Sequence, residues 1–440
     1  MSNRSSCARA CTAILLAWAA SAAAATPSVA PAFAWYGQST FTEQATDGFH
    51  APYAGTNSLT AHIGRETSDV TLYLGAHLWQ GGELWLNPEV DQGFGLDDTV
   101  GLAGYSSGED YKVGSRTPYF RLQRAFLRQT FNIGGASTAP DAGANQFAID
   151  SSSNRVVLTL GKFSVVDIFD TNRYAHDPRA DFLNWAVIDA GSFDYAADAW
   201  GYTVGGAAEW YAGRWAVRGG VFDLSKVPNS ESLDSGFHQW QLDAELEHRH
   251  ELFGQPGKLD ITGFETRGDM ALLEQAIAQA TLTGQPVESA PVRHYRKRDG
   301  VSLNIEQQLT GDLGIFVRAG SAGGNVETFE YTDIDRTASG GVSLSGQRWH
   351  RPGDTIALAG VDNAISRQRR EFLAAGGLGV LVGDGQLPHP GNEQILEAYY
   401  EAAVAPQFAA TFDVQWVQNP AYNSDRGPVA IYAIRLHVTW

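Results

Sequence analysis

Polar and apolar residues alternate along several stretches of the chain. In 239–247, Trp240, Leu242, Ala244 and Leu246 oppose Gln239, Gln241, Asp243, Glu245 and Glu247. In 301–310, Val301, Leu303 and Ile305 oppose Ser302, Asn304, Glu306, Gln308 and Thr310, and 396–404 and 408–416 follow the same rule. Successive side chains of a strand point to opposite faces, so each stretch has one apolar face and one bearing charges or amides. Extending the reading gives sixteen strands, near 35–43, 69–79, 83–90, 119–131, 155–163, 198–211, 214–223, 237–249, 258–267, 300–310, 313–322, 338–349, 354–362, 393–404, 407–418 and 428–440. Alternation alone fits a soluble sandwich as well as a barrel in lipid. The connections separate the two. Short links at Gln80-Gly81-Gly82, Ala212-Gly213, Gly311-Asp312, His350 to Gly353 and Ala405-Pro406 alternate with long loops. Sorting of this kind, with an even number of strands, predicts an all-β fold: a transmembrane, antiparallel, up-and-down barrel with short periplasmic turns and long external loops. One connection breaks the order: 132–154 should be short and is not.

The two ends of the chain agree with a barrel. Ala430, Tyr432, Ile434, Leu436, Val438 and Trp440 share one face of the last strand, and the chain stops on the aromatic. A terminal amphipathic strand of this form resembles the signal read by the barrel-assembly machinery. At the other end, Arg4 and Arg9, the apolar stretch Ala13 to Ala20 and the small residues Ser21 to Ala25 form a secretory signal peptide, too short to span a membrane. The expected division is a removed leader at 1–25 and a single barrel domain at 26–440, exported to the bacterial outer membrane. A second small-x-small cleavage candidate lies at Ala32-Phe33-Ala34. Cys7 and Cys11 are the only cysteines, so the mature chain has no disulfide or thiolate metal site. The longest later apolar run, Leu373 to Gly383, is Gly-broken and short of the ~20 residues of a spanning helix.

Composition narrows the function. The formal charge of −18 includes no basic block able to follow a phosphate backbone, which excludes nucleic acid as a partner. Gly at 48 residues and aromatics at 11% suit extended structure. Gly161 to Phe169 (GKFSVVDIF), Asn172 to Arg179 (NRYAHDPR), Phe182-Leu183-Asn184-Trp185, Asp194 to Asp198 (DYAAD), Gly376 to Gly385 (GGLGVLVGDG), Ile395 to Tyr400 (ILEAYY) and Asn419 to Asn423 (NPAYN) then become specific. These blocks resemble the carbohydrate-selective porins of the OprB type, from about residue 35 to the end. The resemblance implies a sixteen-stranded barrel with a water-filled channel that admits sugars and other small polar solutes by passive diffusion, without enzymatic activity or cofactor. Outer-membrane lipid is then a further partner. Assembly as a homo-oligomer stays open. So do two alternatives: a secreted β-rich carbohydrate-active enzyme or lectin, and a barrel for polysaccharide export.

Within a barrel, polar strand faces look into the lumen. Glu209, Arg218, Glu397 and Glu401 are therefore pore-lining candidates, with Arg124 and Arg128 four apart on a strand and hence on one face, shared by Phe126, and Trp85 as a surface on which a sugar ring could stack. The bland reading is that such charges solvate and brace the wall. The loop 164–197 is the longest on the long-loop rim. It alternates Asp170, Arg173, Asp177, Arg179 and Asp181 with Phe169, Tyr174, Phe182, Trp185 and Phe193, more large aromatics than an outward loop has use for. The expectation is that it folds inward and constricts the pore. His248-x-His250 reads as a solvated rim pair rather than a metal site, and Asp333 and Asp335 as loop acids with a calcium contact as the sharper reading. Acid pairs such as Asp177 with Asp181, or Glu397 with Glu401, occur in any acidic chain. No Gly-x-Ser-x-Gly elbow, phosphate loop or His-Glu-x-x-His is present. Leu272 to Ala280 reads as a short helix decorating a loop.

Overall fold

The computed structural model describes residues 31–110 and 114–440; the expected leader and both cysteines lie outside the described residues. Sixteen strands pair with their sequence neighbours, and β1 pairs with β16, so the sheet closes. In order they are β1 (Phe33–Thr46), β2 (Gly64–Trp79), β3 (Gly82–Gly93), β4 (Ser115–Thr138), β5 (Ser151–Phe163), β6 (Thr203–Ala212), β7 (Trp215–Asp223), β8 (Trp240–Leu252), β9 (Gln255–Ala271), β10 (Arg293–Gln308), β11 (Leu313–Ala322), β12 (Arg336–Ser345), β13 (Thr355–Ala364), β14 (Glu393–Ala405), β15 (Phe408–Gln418) and β16 (Val429–Thr439). Every strand of the sequence reading is present. Several, β4 above all, run beyond the stretches read from sequence, and two others differ for visible reasons. β6 starts at Thr203 because Asp198 turns away to pair with Arg121 and Lys162. β10 starts seven residues early because its first turn, Arg293 to Asp299, is charged on both faces and shows no period-two signal.

The outside of the barrel is apolar. Leu72, Leu74, Val217, Ile261, Val301, Leu358 and Leu396 are exposed. Exposed Trp35, Trp79, Trp210, Trp215, Phe253 and Trp440 ring the short-turn rim, while Phe120, Phe237, Tyr295 and Trp416 lie towards the other. An apolar band between aromatic girdles is the surface that lipid requires. The inward face is the reverse, with Gln241, Asp243, Asn304, Gln415 and Arg435 fully buried. These groups are not solvated, because loops fill much of the lumen. The helices sit in those loops: α1 (Trp185–Ile188), α2 (Leu273–Thr283), which is the helix expected from Leu272 onwards, and α3 (Arg367–Ala374).

Two long connections run inside the barrel. The 164–202 segment touches the inner faces of β8, β10, β11, β14 and β16 through Glu245, Asn304, Arg318, Glu397 and Arg435. It reaches as far as Gln308 near the short-turn rim, where Arg173 donates to it at 3.4 Å. Residues 94–110 dock beside it, with Trp185 N donating to Tyr105 O and Gly108 N to Leu183 O. The core of the molecule is therefore loop against inner wall, as Phe182 between Phe316 and Tyr399 illustrates.

Facing can be tested on β10. Leu303→Arg puts a cation towards lipid, at ~2–4 kcal/mol near the bilayer midplane, whereas Glu306→Arg stays on the inner side. The first is expected to lower the yield of heat-modifiable barrel much more than the second, which loses only the Arg173 N contact of the crossing loop. Asn304 is a poor inner control, since Asn172 and Asp170 pack on its amide. Equal yields from Leu303→Arg and Glu306→Arg would refute the assigned faces.

Candidate functional site

A backbone that crosses a lumen carries N–H groups with no sheet partner, and each must be met by something. Inward carboxylates and amides of the strands meet them here. Glu397 accepts from Leu183 N at 2.5 Å and from Asn184 N at 3.2 Å, Glu245 from Asp170 N at 2.7 Å, Gln241 from Ala196 N at 2.6 Å, and Glu306 from Arg173 N at 2.6 Å. Glu393 does the same for Ala103 N, Gly104 N and Ala421 N. Buried arginines cap the loop carbonyls: Arg318 donates to Val187 O at 2.7 Å and Asp170 O at 3.1 Å, and Arg435 to Pro178 O and Asp181 O. Asp194, from the crossing loop, accepts from Phe329 N and Tyr331 N and pairs with Arg298 at 3.1 Å.

These anchors hold the crossing loop mainly against the β7–β16 side. Space remains along β1–β5. A mid-barrel cavity of about 340 Å³ is lined by Gln38, Tyr73, Glu89 and Arg124 from the wall and by Tyr105, Glu109, Asp110, Asp177, Arg179, Trp185 and Tyr202 from the two loops. A second, of about 1230 Å³, opens at the short-turn rim between Gln80, Arg128, Asn132, Glu209 and Tyr211. Asp167, Ala144 and Asn145 line both.

Cations in the mid-barrel cavity are paired. Arg124 grips Asp167 with two hydrogen bonds, Nε at 2.8 Å and Nη2 at 2.6 Å, and its guanidinium lies 4.9 Å from the Tyr202 ring. Burial works against an ionised Asp167, but Arg124 outweighs it and keeps this carboxyl below the usual carboxylate range. Arg179 lies 3.0 Å from Glu109, 3.7 Å from Glu89 and 3.9 Å from Asp69. Burial disfavours its charge; Glu109, Asp69 and Glu89 more than offset that and raise its pKa well above the ordinary value. Burial pushes the Asp110 carboxyl up to about 7. Aromatics supply the apolar floor. Trp185 stacks on Tyr105 at 5.3 Å with the planes 10° apart, and Tyr331 meets its edge at 5.0 Å.

The sequence candidates thus fall into two groups. Arg124, Asp177, Arg179 and Trp185 line the mid-barrel cavity, and Arg128 and Glu209 the rim cavity. Trp85 is fully buried beneath Phe147, at 4.9 Å. Asp170, Arg218, Glu397 and Glu401 join loop to wall or wall to wall: Arg218 pairs with Glu209, Glu245 and Glu247, and Glu401 with Arg435. Asp181 accepts from His176 N and Asp177 N, both at 3.0 Å, and burial raises its pKa to about 6. Arg173 is exposed near Gln308. Sequence reasoning missed Tyr105, Glu109 and Asp110, since the 94–114 loop is rich in Gly and Ser and shows no sign of burial. It also missed Glu393, which looks like any strand carboxylate. Asp333 and Asp335 face Arg369 at 3.3 and 3.0 Å, and His250 bonds to Gln307 at 2.9 Å.

A family model for the carbohydrate-selective porins, OprB family, matches residues 57–440. The chain belongs to that family. It is a porin, an outer-membrane channel for small solutes. The high-pH structure of OprB from Pseudomonas putida superposes with a TM-score of 0.68 at 14% identity, covering 93% of this chain and 94% of that one. The low-pH structure of the same protein gives 0.50 at 11% identity, with 93% of each covered. The outer-membrane channel DcaP of Acinetobacter baumannii gives 0.51 at 10%, covering 93% of this porin and 97% of DcaP. At such identities the likeness is one of fold. No curated protein matches the chain. Fold and family are those of channels rather than enzymes.

Two measurements follow from this packing. Arg318→Leu leaves Asp170 buried without its partner, at roughly 3–5 kcal/mol for a broken buried pair. It should lower the temperature at which the folded gel band is lost, and an unchanged temperature would contradict the anchoring role. Asp110 is neutral below about pH 7 and ionised above. Because its folded pKa lies above the unfolded one, stability falls as pH rises from about 4 through 7, and the cavity gains a negative charge over the upper part of that window. Cation preference, read from reversal potentials in a salt gradient, should therefore rise through pH 7, and Asp110→Asn should flatten the rise.

Proposed function

We propose that the porin passes sugars along the β1–β5 side of the lumen, and that the 164–197 segment, held in place by wall carboxylates and arginines, is the constriction that sets their size. The observation that carries this reading is the mid-barrel cavity itself. Its walls combine planar guanidinium groups already neutralised by carboxylates with the stacked rings of Tyr105 and Trp185. Arginine forks and acid oxygens supply donors and acceptors for hydroxyl groups, and ring faces suit the C–H face of a pyranose. Paired charges leave no strong single-sign field, which favours neutral polyols over ions. Transit is passive, with no coupling ion or cofactor. Asp170, Arg173, Asp181, Arg218, Glu397 and Glu401 act by fixing the loop, while Arg124, Arg128, Asp177, Arg179, Trp185 and Glu209 face the solute.

Export through the leader at 1–25 and insertion by the barrel-assembly machinery complete the reading. The terminal strand supports the second step: Trp440 is exposed at the short-turn rim and its backbone pairs with Gly37, at the seam of the closing strands. The isolated barrel carries a whole channel within one chain, so a homo-oligomer is not needed for transport.

Removing residues 172–184 takes away Asn172, Leu183 and Asn184, three of the loop's attachments. Single-channel conductance should rise, and liposome swelling should discriminate less between mono- and oligosaccharides. Heat-modifiable barrels with unchanged conductance would place the constriction elsewhere.

A further inference from the structure

The connection between β4 and β5 is the one long link on the short-turn rim. β4 runs on to Thr138 and pairs with Ser151 to Asn154 past the neighbouring turns, forming a hairpin with register shifts at Asn132/Gly134 and Gly134/Ser137. Gly134 and Gly135 carry φ of 148° and 92°, which other residues rarely adopt, and a bulge at such a point bends a strand pair. The linking residues 139–150 then turn back into the barrel instead of outwards. Gly143 and Gln146 exchange backbone hydrogen bonds at 3.0 and 3.1 Å, making a tight tip. Asn145 at that tip accepts from Asn87 Nδ2 at 2.9 Å, and its carbonyl accepts from Arg128 at 2.8 Å. Asn87 lies five residues along β3 from Gly82, so the tip penetrates roughly 17 Å at ~3.4 Å of rise per residue. Phe147 locks it, 2% exposed and packed 4.9 Å from Trp85.

We propose that this inward turn is a second constriction, in series with the first, at the junction of the two cavities. Ala144 and Asn145 line both cavities, and Asp167, held by Arg124, lines both from the opposite element. A solute leaving the mid-barrel cavity for the short-turn mouth passes between the Asn145 tip and the Arg124–Asp167 pair. The tip presents an uncharged amide, so it selects by size and hydrogen bonding, not by charge. Its hold on the wall is the Phe147 ring, packed on Trp85 and His77, and the hydrogen bonds of Asn145 and Asp150, weaker than the many buried ion pairs that fix the 164–202 segment. The short-rim constriction is therefore the more easily displaced of the two.

This inference rests on the two cavities being the solute path, and the experiment separates the two failures. In a background lacking Cys7 and Cys11, Asn145→Cys and Asp177→Cys are each treated with a bulky methanethiosulfonate in planar bilayers. Block at both positions is expected. Block at Asp177→Cys with none at Asn145→Cys overturns the second constriction while keeping the path; no block at either overturns both. Removing residues 142–147 should raise conductance by up to about twofold, the limit for two comparable resistances in series, without restoring passage to solutes excluded by the first constriction. Phe147→Ala, which keeps the turn but frees it, should raise conductance less and increase current noise. Folded barrels of both variants with wild-type conductance would overturn the proposal.

Discussion

A chain cannot cross the inside of a barrel unless every backbone N–H it carries finds an acceptor, and this porin meets that demand with carboxylates from the wall. Glu397, Glu245, Glu306 and Glu393 accept N–H groups of the two inner loops, and Asp194 returns the arrangement from loop to loop. Strands are otherwise saturated by their neighbours, so only side chains are free to do this. Asp194 is in turn paired with buried Arg298 and Glu245 with buried Arg218, while buried Arg318 and Arg435 cap loop carbonyls. Without this network an irregular segment of about forty residues, 164–202, could not lie at membrane depth.

The same network decides where open space remains inside the barrel. Anchors are densest on β8, β10, β11 and β14 to β16, and there loop aromatics such as Phe182 and Phe193 form a packed core. The opposite wall, β1 to β5, meets the long loop through side-chain pairs such as Arg124–Asp167 and Arg121–Asp198, and open space remains beside them. The lumen of the barrel is thus filled on one side and keeps a cavity on the other.

Charge has two uses here that a sequence does not separate. Arg218 and Arg318 are enclosed and hold structure; Arg124 and Arg179 are equally well paired but border open volume. Both kinds sit at alternating strand positions or in the same acidic-basic loop. A buried pair contributes little net stability, so its use is to fix one arrangement of the loop among many.

Much of the fold was legible in the sequence. Period-two patterning follows from strand geometry and lipid contact, both local, and it located all sixteen strands, the short-turn rim and the terminal strand ending on Trp440. The crossing loop announced itself by its aromatics. What the residues alone left undecided was pairing across distance. Glu397 and Arg128 look alike as inward strand charges, yet one lies under Leu183 and the other beside a cavity, because only the closed barrel sets which loop lies over which strand. Gly- and Ser-rich 94–114 and the odd link at 132–154 carried no pattern that told inward from outward. Their course is fixed by partners hundreds of residues away or on another strand, such as Glu393 for Gly104 and Asn87 for Asn145, and those contacts exist only once the sheet has closed.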